Sequence, residues 1–518
     1  MIQISAKHRV VGVPVQPQLQ NLFPQARTAM LEGQELVLLP HGLQETVMLR
    51  NLGYEVPAPI LTQYGWPGDK RPFDVQRWTA AAMTTNQRFY CLNSMGTGKT
   101  RAALWAYDYL RGNSMAKRAL VVAPLSTLDN VWRREAFRTC SHLSVGVLHH
   151  VDRRKRMEVL EQDHDIYVIN TDGIKVLAKQ LLARKEIDTL ILDELALFRN
   201  AGSDRNKVAR VLAQRMTWVW GMTGSPTPNE PPDAWGQCLI LTPHTIPKTM
   251  GRFRAETMHR VTQFKFVPKK DAYDRVFRAM QPSVRFTLDD VVELPDVVER
   301  ALDVTMGSKQ TYVYEEMRKH SLVAIQEHKI TAVNAGVALN KMLQISLGYV
   351  YTRNGSVVPL DNDKRLDAIV DAVRSTDHKV LIFVPFTHAL QGIHKKLLSD
   401  KIDCAIVHGE TSKKQRDYIF NLFQSTTKFK AICAHPGCMS HGLTLTAADT
   451  VIWAGPTTSL EMFEQANARI RRVGQNHKQQ IIMFQSSAIE RRMYARLRAK
   501  KQVQENILEL FADATEEG

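Results

Sequence analysis

The chain has 518 residues, 44% hydrophobic and 8% aromatic, enough for about three globular domains. No apolar stretch reaches the ~20 residues of a membrane span, and the six scattered cysteines form no Cys-x-x-Cys pair, which excludes a disulfide framework and a zinc cluster. The net charge of +16 favours an anionic partner, nucleic acid being the usual one, and the N-terminus lacks a signal-peptide layout, so a cytoplasmic protein with no membrane partner is expected.

Residues 1–65 mix short apolar runs with Pro14, Pro17, Pro24, Pro57 and Pro59, and predict a small N-terminal accessory domain through which protein partners are possible. A series of short apolar runs follows within 66–250: Phe89–Asn93, Ala119–Pro124, Ile166–Asn170, Thr189–Asp193 and Trp218–Thr223. Runs of this length, rich in Val and Ile and separated by helical stretches, read as buried parallel strands. The first ends in Ser94-Met95-Gly96-Thr97-Gly98-Lys99-Thr100 and opens a predicted helix to Leu110. Glycines there let backbone N–H groups approach phosphate oxygens, at a helix N-terminus that favours anions. Lys99 supplies charge to the β- and γ-phosphates, and Thr100 a hydroxyl to Mg²⁺. Asn93 stands where the strict form of this loop has glycine.

The basic run Arg153-Arg154-Lys155-Arg156 predicts a solvated helix start. Asp193-Glu194, 94 positions after Lys99, ends another apolar run. A strand end brings both carboxylates to the sheet edge near the phosphate loop. Asp193 is expected to hold Mg²⁺, and Glu194 to position and polarise the attacking water. Thr223-Gly224-Ser225-Pro226 closes the fifth run, and its hydroxyls at Thr223 and Ser225 are expected to hydrogen-bond to the acidic pair and signal phosphate state to the other lobe.

Residues 251–295 are basic and irregular and predict a linker, while 296–518 form a second lobe with a helical insertion near 308–347. Its runs are Val380–Pro385, Cys404–His408, Ala431–His435, Val451–Ala454 and Ile481–Phe484. Gln465-Ala466-Asn467-Ala468-Arg469-Ile470-Arg471-Arg472-Val473-Gly474-Gln475 follows the fourth run. A helix would put Arg469 and Arg472 on one face, where an arginine reaching the γ-phosphate neutralises transition-state charge. Ile489–Phe511 reads as one long helix with a basic side. Two such series predict an α/β protein with two parallel-sheet lobes in tandem, hydrolysing a nucleoside triphosphate with Mg²⁺.

Together these motifs resemble the Snf2 branch of superfamily 2 helicase-like ATPases over roughly residues 66–510, most diagnostically at 465–475. This family resemblance implies RecA-like lobes and ATP. The compact build and the His441-Gly442-Leu443 form of motif V resemble the bacteriophage or prokaryotic subgroup. The resemblance implies that Gln76, in Pro72-Phe73-Asp74-Val75-Gln76, reads adenine, that Ser94 begins the relaxed phosphate loop, and that Gln465 belongs to the coupling machinery. It implies DNA contacts at Ser126, Thr171, His441 and Gly442, and likens Leu343-Gln344-Ile345 to a second-lobe motif. Three positions depart from the family: Leu195-Ala196 stands for Gly/Ala-His, Thr444 for Asn, and Asn93-Ser94-Met95 for Asp-Glu-x. None removes an atom needed for hydrolysis.

The expected function is therefore a monomeric DNA-dependent ATPase translocating along double-stranded DNA. The alternatives are a strand-separating DNA or RNA helicase, an ATP-switched nucleic-acid-binding subunit, or a restriction-type translocase subunit whose nuclease is elsewhere.

Overall fold

The computed structural model describes residues 2–31, 33–262, 266–326, 332–351, 356–439 and 444–501. They fall into two compact units, one up to Val291 and one from Val292.

The first unit opens on a four-stranded antiparallel sheet, in the order Gln3–Ser5, Val10–Pro14, Gln34–Pro40, Arg27–Leu31. Alternate residues Val11, Val13, Val37 and Leu39 face a small core shared with Leu19, Leu49 and Val56. Beyond it stand seven parallel strands, in the order Ser283–Val284, Arg88–Cys91, Trp218–Met222, Ile187–Asp193, Arg118–Ala123, Ile166–Asn170, Val145–Val147. Both faces are covered, which is why the runs read as continuous rather than alternating. Ala119, Val121 and Ala123 point into one core with Trp105 and Trp220, while Leu120 and Val122 point into the other with Tyr167 and Phe198.

The second unit repeats the plan with six parallel strands, in the order Val297–Asp303, Gln479–Gln485, Ala448–Trp453, Lys379–Phe383, Ala431–Ala434, Cys404–Val407. Leu381 and Phe383 face one core, Val380 and Ile382 the other. The chain is thus α/β with two RecA-like parallel-sheet lobes, as the two series of runs predict.

Three sheet strands lie outside those runs. Val145–Val147 has three residues and Ser283–Val284 two, too short for a pattern, and the edge strand Val297–Asp303 is exposed along nearly its whole length. The stretch read as an irregular linker contains the helices Met250–Thr257 and Ala272–Ala279 before it adds Ser283–Val284 to the first sheet. The helical stretch near 308–347 comprises Ser308–Gln326 and Ala332–Ser346.

The basic run begins the helix Arg153–Glu161, capped by Asp152 accepting from the Arg154 amide at 2.8 Å. Residues 488–501 are helical, and the continuation expected to Phe511 lies outside the described residues. This helix buries Met493, Tyr494 and Leu497, and pairs Arg491 with Asp303 at 3.0 Å and Lys501 with Glu299 at 3.7 Å. Its basic side is therefore partly matched by acids of the neighbouring edge strand. All six cysteines are free thiols. No helix among the described residues is long and apolar enough to cross a membrane.

Candidate active site

The phosphate loop joins the Arg88–Cys91 strand to the helix Lys99–Gly112. Gly96 and Gly98 both hold positive φ, at 91° and 83°, a region open to glycine without strain. Gly98 caps the helix, so the free N–H groups of its first turn face the loop. The Lys99 ammonium donates to the carbonyls of Asn93 at 2.8 Å and Ser94 at 3.0 Å, closing the loop on itself. Burial lowers the Lys99 ammonium from its ordinary value, while the carboxylates of Glu194 and Asp193 pull the other way. The Ser94 hydroxyl is buried and makes no hydrogen bond.

Asn93, the departure from glycine, has a role of its own. Its side-chain amide donates to Thr79 Oγ1 at 2.8 Å and accepts from the Phe286 amide at 2.9 Å. It thus ties the loop's entry to a neighbouring helix and to the segment after the Ser283–Val284 strand. From that segment Arg285 also donates to the Leu92 carbonyl. Neither contact has a signal in the sequence: Thr79 lies on the preceding helix and Phe286 is 193 positions from Asn93.

Gln76 is buried in the helix Asp74–Thr85. Its Oε1 accepts from the Phe73 amide at 3.1 Å, and its Nε2 donates to the Thr97 carbonyl at 3.1 Å. The structure thus places it against the phosphate loop. A Cβ at position 98 would overlap this amide. Gly98→Ala therefore combines a clash with left-handed strain of ~1–2 kcal/mol, and is expected to weaken ATP binding at least about tenfold. Titration with a fluorescent nucleotide checks this, and unchanged affinity would show that the loop tolerates a side chain there.

The acidic pair ends the Ile187–Asp193 strand, two places from the Arg88–Cys91 strand across Trp218–Met222. Asp193 Oδ2 accepts from the Trp132 indole at 2.8 Å. Burial raises the Asp193 carboxyl, opposed by that hydrogen bond and by Lys99. Glu194 sits at φ 60°, ψ 59°, a left-handed conformation that costs a non-glycine residue about 1 kcal/mol or more. Its Oε1 accepts from Thr223 Oγ1 at 3.1 Å, and Thr223 Oγ1 accepts from the Ser225 amide at 3.1 Å. The strands thus gather Lys99, Asp193, Glu194, Thr223 and Ser225 at one edge of one sheet.

Ser126 and Thr171 follow the adjacent strands Arg118–Ala123 and Ile166–Asn170, so they share that edge beside the acidic pair. Ser126 is partly exposed, whereas Thr171 is buried. His441 and Gly442 lie outside the described residues.

In the second unit the helix Leu460–Asn467 ends before Arg469, so the two arginines do not share a helix face. Ala468 closes the helix by donating to the Glu464 and Ala466 carbonyls, and Asn467 is held by the Trp453 indole at 2.9 Å. Arg469 is 1% exposed, among the largest fully buried side chains, while Arg472 is only half-buried. Arg472 Nε donates to the Ala468 carbonyl at 3.1 Å, and desolvation pushes its guanidinium down to about 10, still a cation at neutral pH. Gln465 donates to Glu461 at 3.3 Å. Gln475 closes the motif by donating to the Ala448 carbonyl at 2.8 Å.

The donor set suits a magnesium nucleotide. It offers glycines in a conformation that turns N–H groups inward, a buried serine hydroxyl without a partner, a lysine, and hard oxygens at Thr100 and Asp193. Among the described residues there is no cluster of three or more His, Cys, Asp or Glu able to hold a metal ion. A cation bound through a hydroxyl, one carboxylate and substrate phosphates needs none.

Comparison with known proteins agrees. The SNF2-related domain family matches residues 85–349, and the helicase conserved C-terminal domain matches 363–474. Protein p41 of Acyrthosiphon pisum secondary endosymbiont phage 1 is 25% identical over 80% of this chain and 93% of its own length. An uncharacterised ATP-dependent helicase of Mycoplasma genitalium is 22% identical over 77% of this chain and 38% of its own. The chromodomain-helicase-DNA-binding protein 1-like of Danio rerio is 23% identical over 85% of this chain and 44% of its own. The chain therefore spans nearly all of the phage relative and under half of the other two. Carrying both domains in order, it belongs to the SNF2-related family of helicase-type ATP hydrolases.

Proposed function

We propose that the chain couples ATP hydrolysis to translocation along double-stranded DNA. The observation that carries this is the gathering, in an SNF2-related chain, of a phosphate loop, an acidic pair and a hydroxyl relay at one sheet edge, beside the exposed turn that bears Ser126. Each residue has a proposed role. Backbone N–H groups of Met95–Lys99 and the Ser94 hydroxyl hold phosphate oxygens, and Lys99 neutralises them. Gln76 orders the loop and faces adenine. Thr100 and Asp193 hold Mg²⁺, which when bound neutralises charge on the β- and γ-phosphates. Glu194 takes the proton of the attacking water, and Thr223 fixes its carboxylate. Arg472 stabilises transition-state charge, Arg469 supports it from within, and Gln465, Thr223 and Ser225 relay phosphate state.

The +16 net charge and the DNA-binding relative both favour nucleic acid as partner. Contact through phosphates is sequence-tolerant and weakens with salt. Ser126, Thr171 through its backbone, and His441-Gly442 are the proposed contacts. The phage source of one relative favours action in the cytoplasm of a bacterial or phage-infected cell, and the chain is proposed to act as a monomer. The relative named as a helicase keeps strand separation as the second reading.

Steady-state ATP hydrolysis with duplex DNA, single-stranded DNA and RNA decides between them. Duplex DNA is expected to stimulate most and to drive triplex displacement without strand separation. Stimulation by single strands alone would favour the helicase. Lys99→Ala is the blank and is expected to hydrolyse ATP at least about 10²-fold slower, since electrostatic stabilisation of transferring phosphate is of that order or larger. Turnover near that of the parent would remove Lys99 from the mechanism.

A further inference from the structure

We infer that Trp132 is a positioning residue that links the exposed turn at 125–130 to the orientation of Asp193. The inference rests on the reading of Asp193 as the Mg²⁺-holding carboxylate. Trp132 is 1% exposed, and its indole N–H, the only polar group of that side chain, donates to Asp193 Oδ2 at 2.8 Å. A buried, packed ring with one donor holds a carboxylate oxygen in one direction. Partners of this kind orient metal ligands and tune metal affinity.

The backbone around Trp132 makes the link directional. The Arg118–Ala123 strand runs into a 3₁₀ turn, Leu125–Thr127, and then a π-helical turn, Leu128–Arg133, before the helix Arg134–Thr139. Single π turns are rare and gather at functional sites. On the outer side Leu125 is 49% exposed and Ser126 is partly exposed. On the inner side Leu128 and Trp132 are buried in the core. The Thr127 hydroxyl donates to the Pro124 carbonyl at 2.8 Å, fixing the start of the turn. Any polyanion pressing on the outer side bears on the short stretch of backbone that carries the indole. The indole is thus a direct physical route from that turn to the carboxylate.

Trp132→Phe keeps most of the ring and removes the donor. Three quantities are read: binding of a fluorescent ATP analogue in EDTA, Mn²⁺ binding to the protein–ADP complex by electron paramagnetic resonance, and ATP turnover with and without duplex DNA. Metal-free nucleotide affinity is expected to stay within about twofold, with Mn²⁺ affinity falling about tenfold, the size seen when a metal ligand loses its outer partner. The ratio of DNA-stimulated to unstimulated turnover is expected to fall along with it. Mn²⁺ affinity and stimulation both within about twofold of the parent would overturn the link. A parent protein that binds no Mn²⁺ with ADP would overturn the underlying reading of Asp193 instead. Should Trp132→Phe not fold, the ¹⁵N-labelled indoles of the unmutated chain carry the test. One indole signal is expected to move both in Asp193→Asn and on adding duplex DNA. A signal that senses Asp193→Asn and ignores DNA would overturn the coupling.

Discussion

Glu194→Gln is expected to reduce ATP turnover about 10³-fold, within the 10²–10⁴ that a positioned general base contributes. The substitution is nearly isosteric. The Thr223 hydroxyl, 3.1 Å from Glu194 Oε1, can still donate to the amide oxygen, so the side chain keeps its place. What is lost is the charge proposed to draw a proton from water. The left-handed backbone at Glu194 belongs to the residue and its neighbours rather than to the carboxylate, and persists. ATP binding, assigned in this proposal to the loop and Lys99, is expected to stay within about threefold, because the change would remove an interaction made in the transition state. Rapid-quench hydrolysis beside a fluorescent-nucleotide titration separates the two. Residual turnover above about a tenth of the parent's would move the base to another group.

The strand runs were legible because parallel strands covered on both faces cannot alternate. Val380-Leu381-Ile382-Phe383 feeds two cores in turn and reads as one apolar block. The phosphate loop and acidic pair were legible because each sits at a strand end, where sequence and position coincide. The contacts that hold them were not. Asn93 looks like a lapse in the loop pattern until Thr79 and Phe286 are seen to meet its amide. Trp132 reads as one more aromatic in an amphipathic stretch, because nothing local marks a π turn or the carboxylate it meets 61 positions later. Arg469 and Arg472 look equivalent at a spacing of three, and only the end of the helix at Asn467 separates a buried arginine from a half-buried one.

That separation sets the second large effect. Arg472→Ala is expected to cut turnover by about 10³-fold, the lower end for an arginine that neutralises transferring phosphate. Affinity for ATP is expected to remain within about threefold if, as proposed, the guanidinium is matched to charge that develops only in the transition state. The hydrogen bond from its Nε to the Ala468 carbonyl is local and helps little in holding the fold, so the melting temperature should barely move. Arg469→Ala should do the reverse in part. Removing a side chain 1% exposed opens a cavity, which is expected to lower stability by about 1–3 kcal/mol. Arg472→Lys keeps the charge but loses the planar fork, and should recover only a fraction of the rate. A large loss of ATP affinity in Arg472→Ala would make this arginine a ground-state ligand. The expected split between rate and affinity would make it a ligand of the transition state.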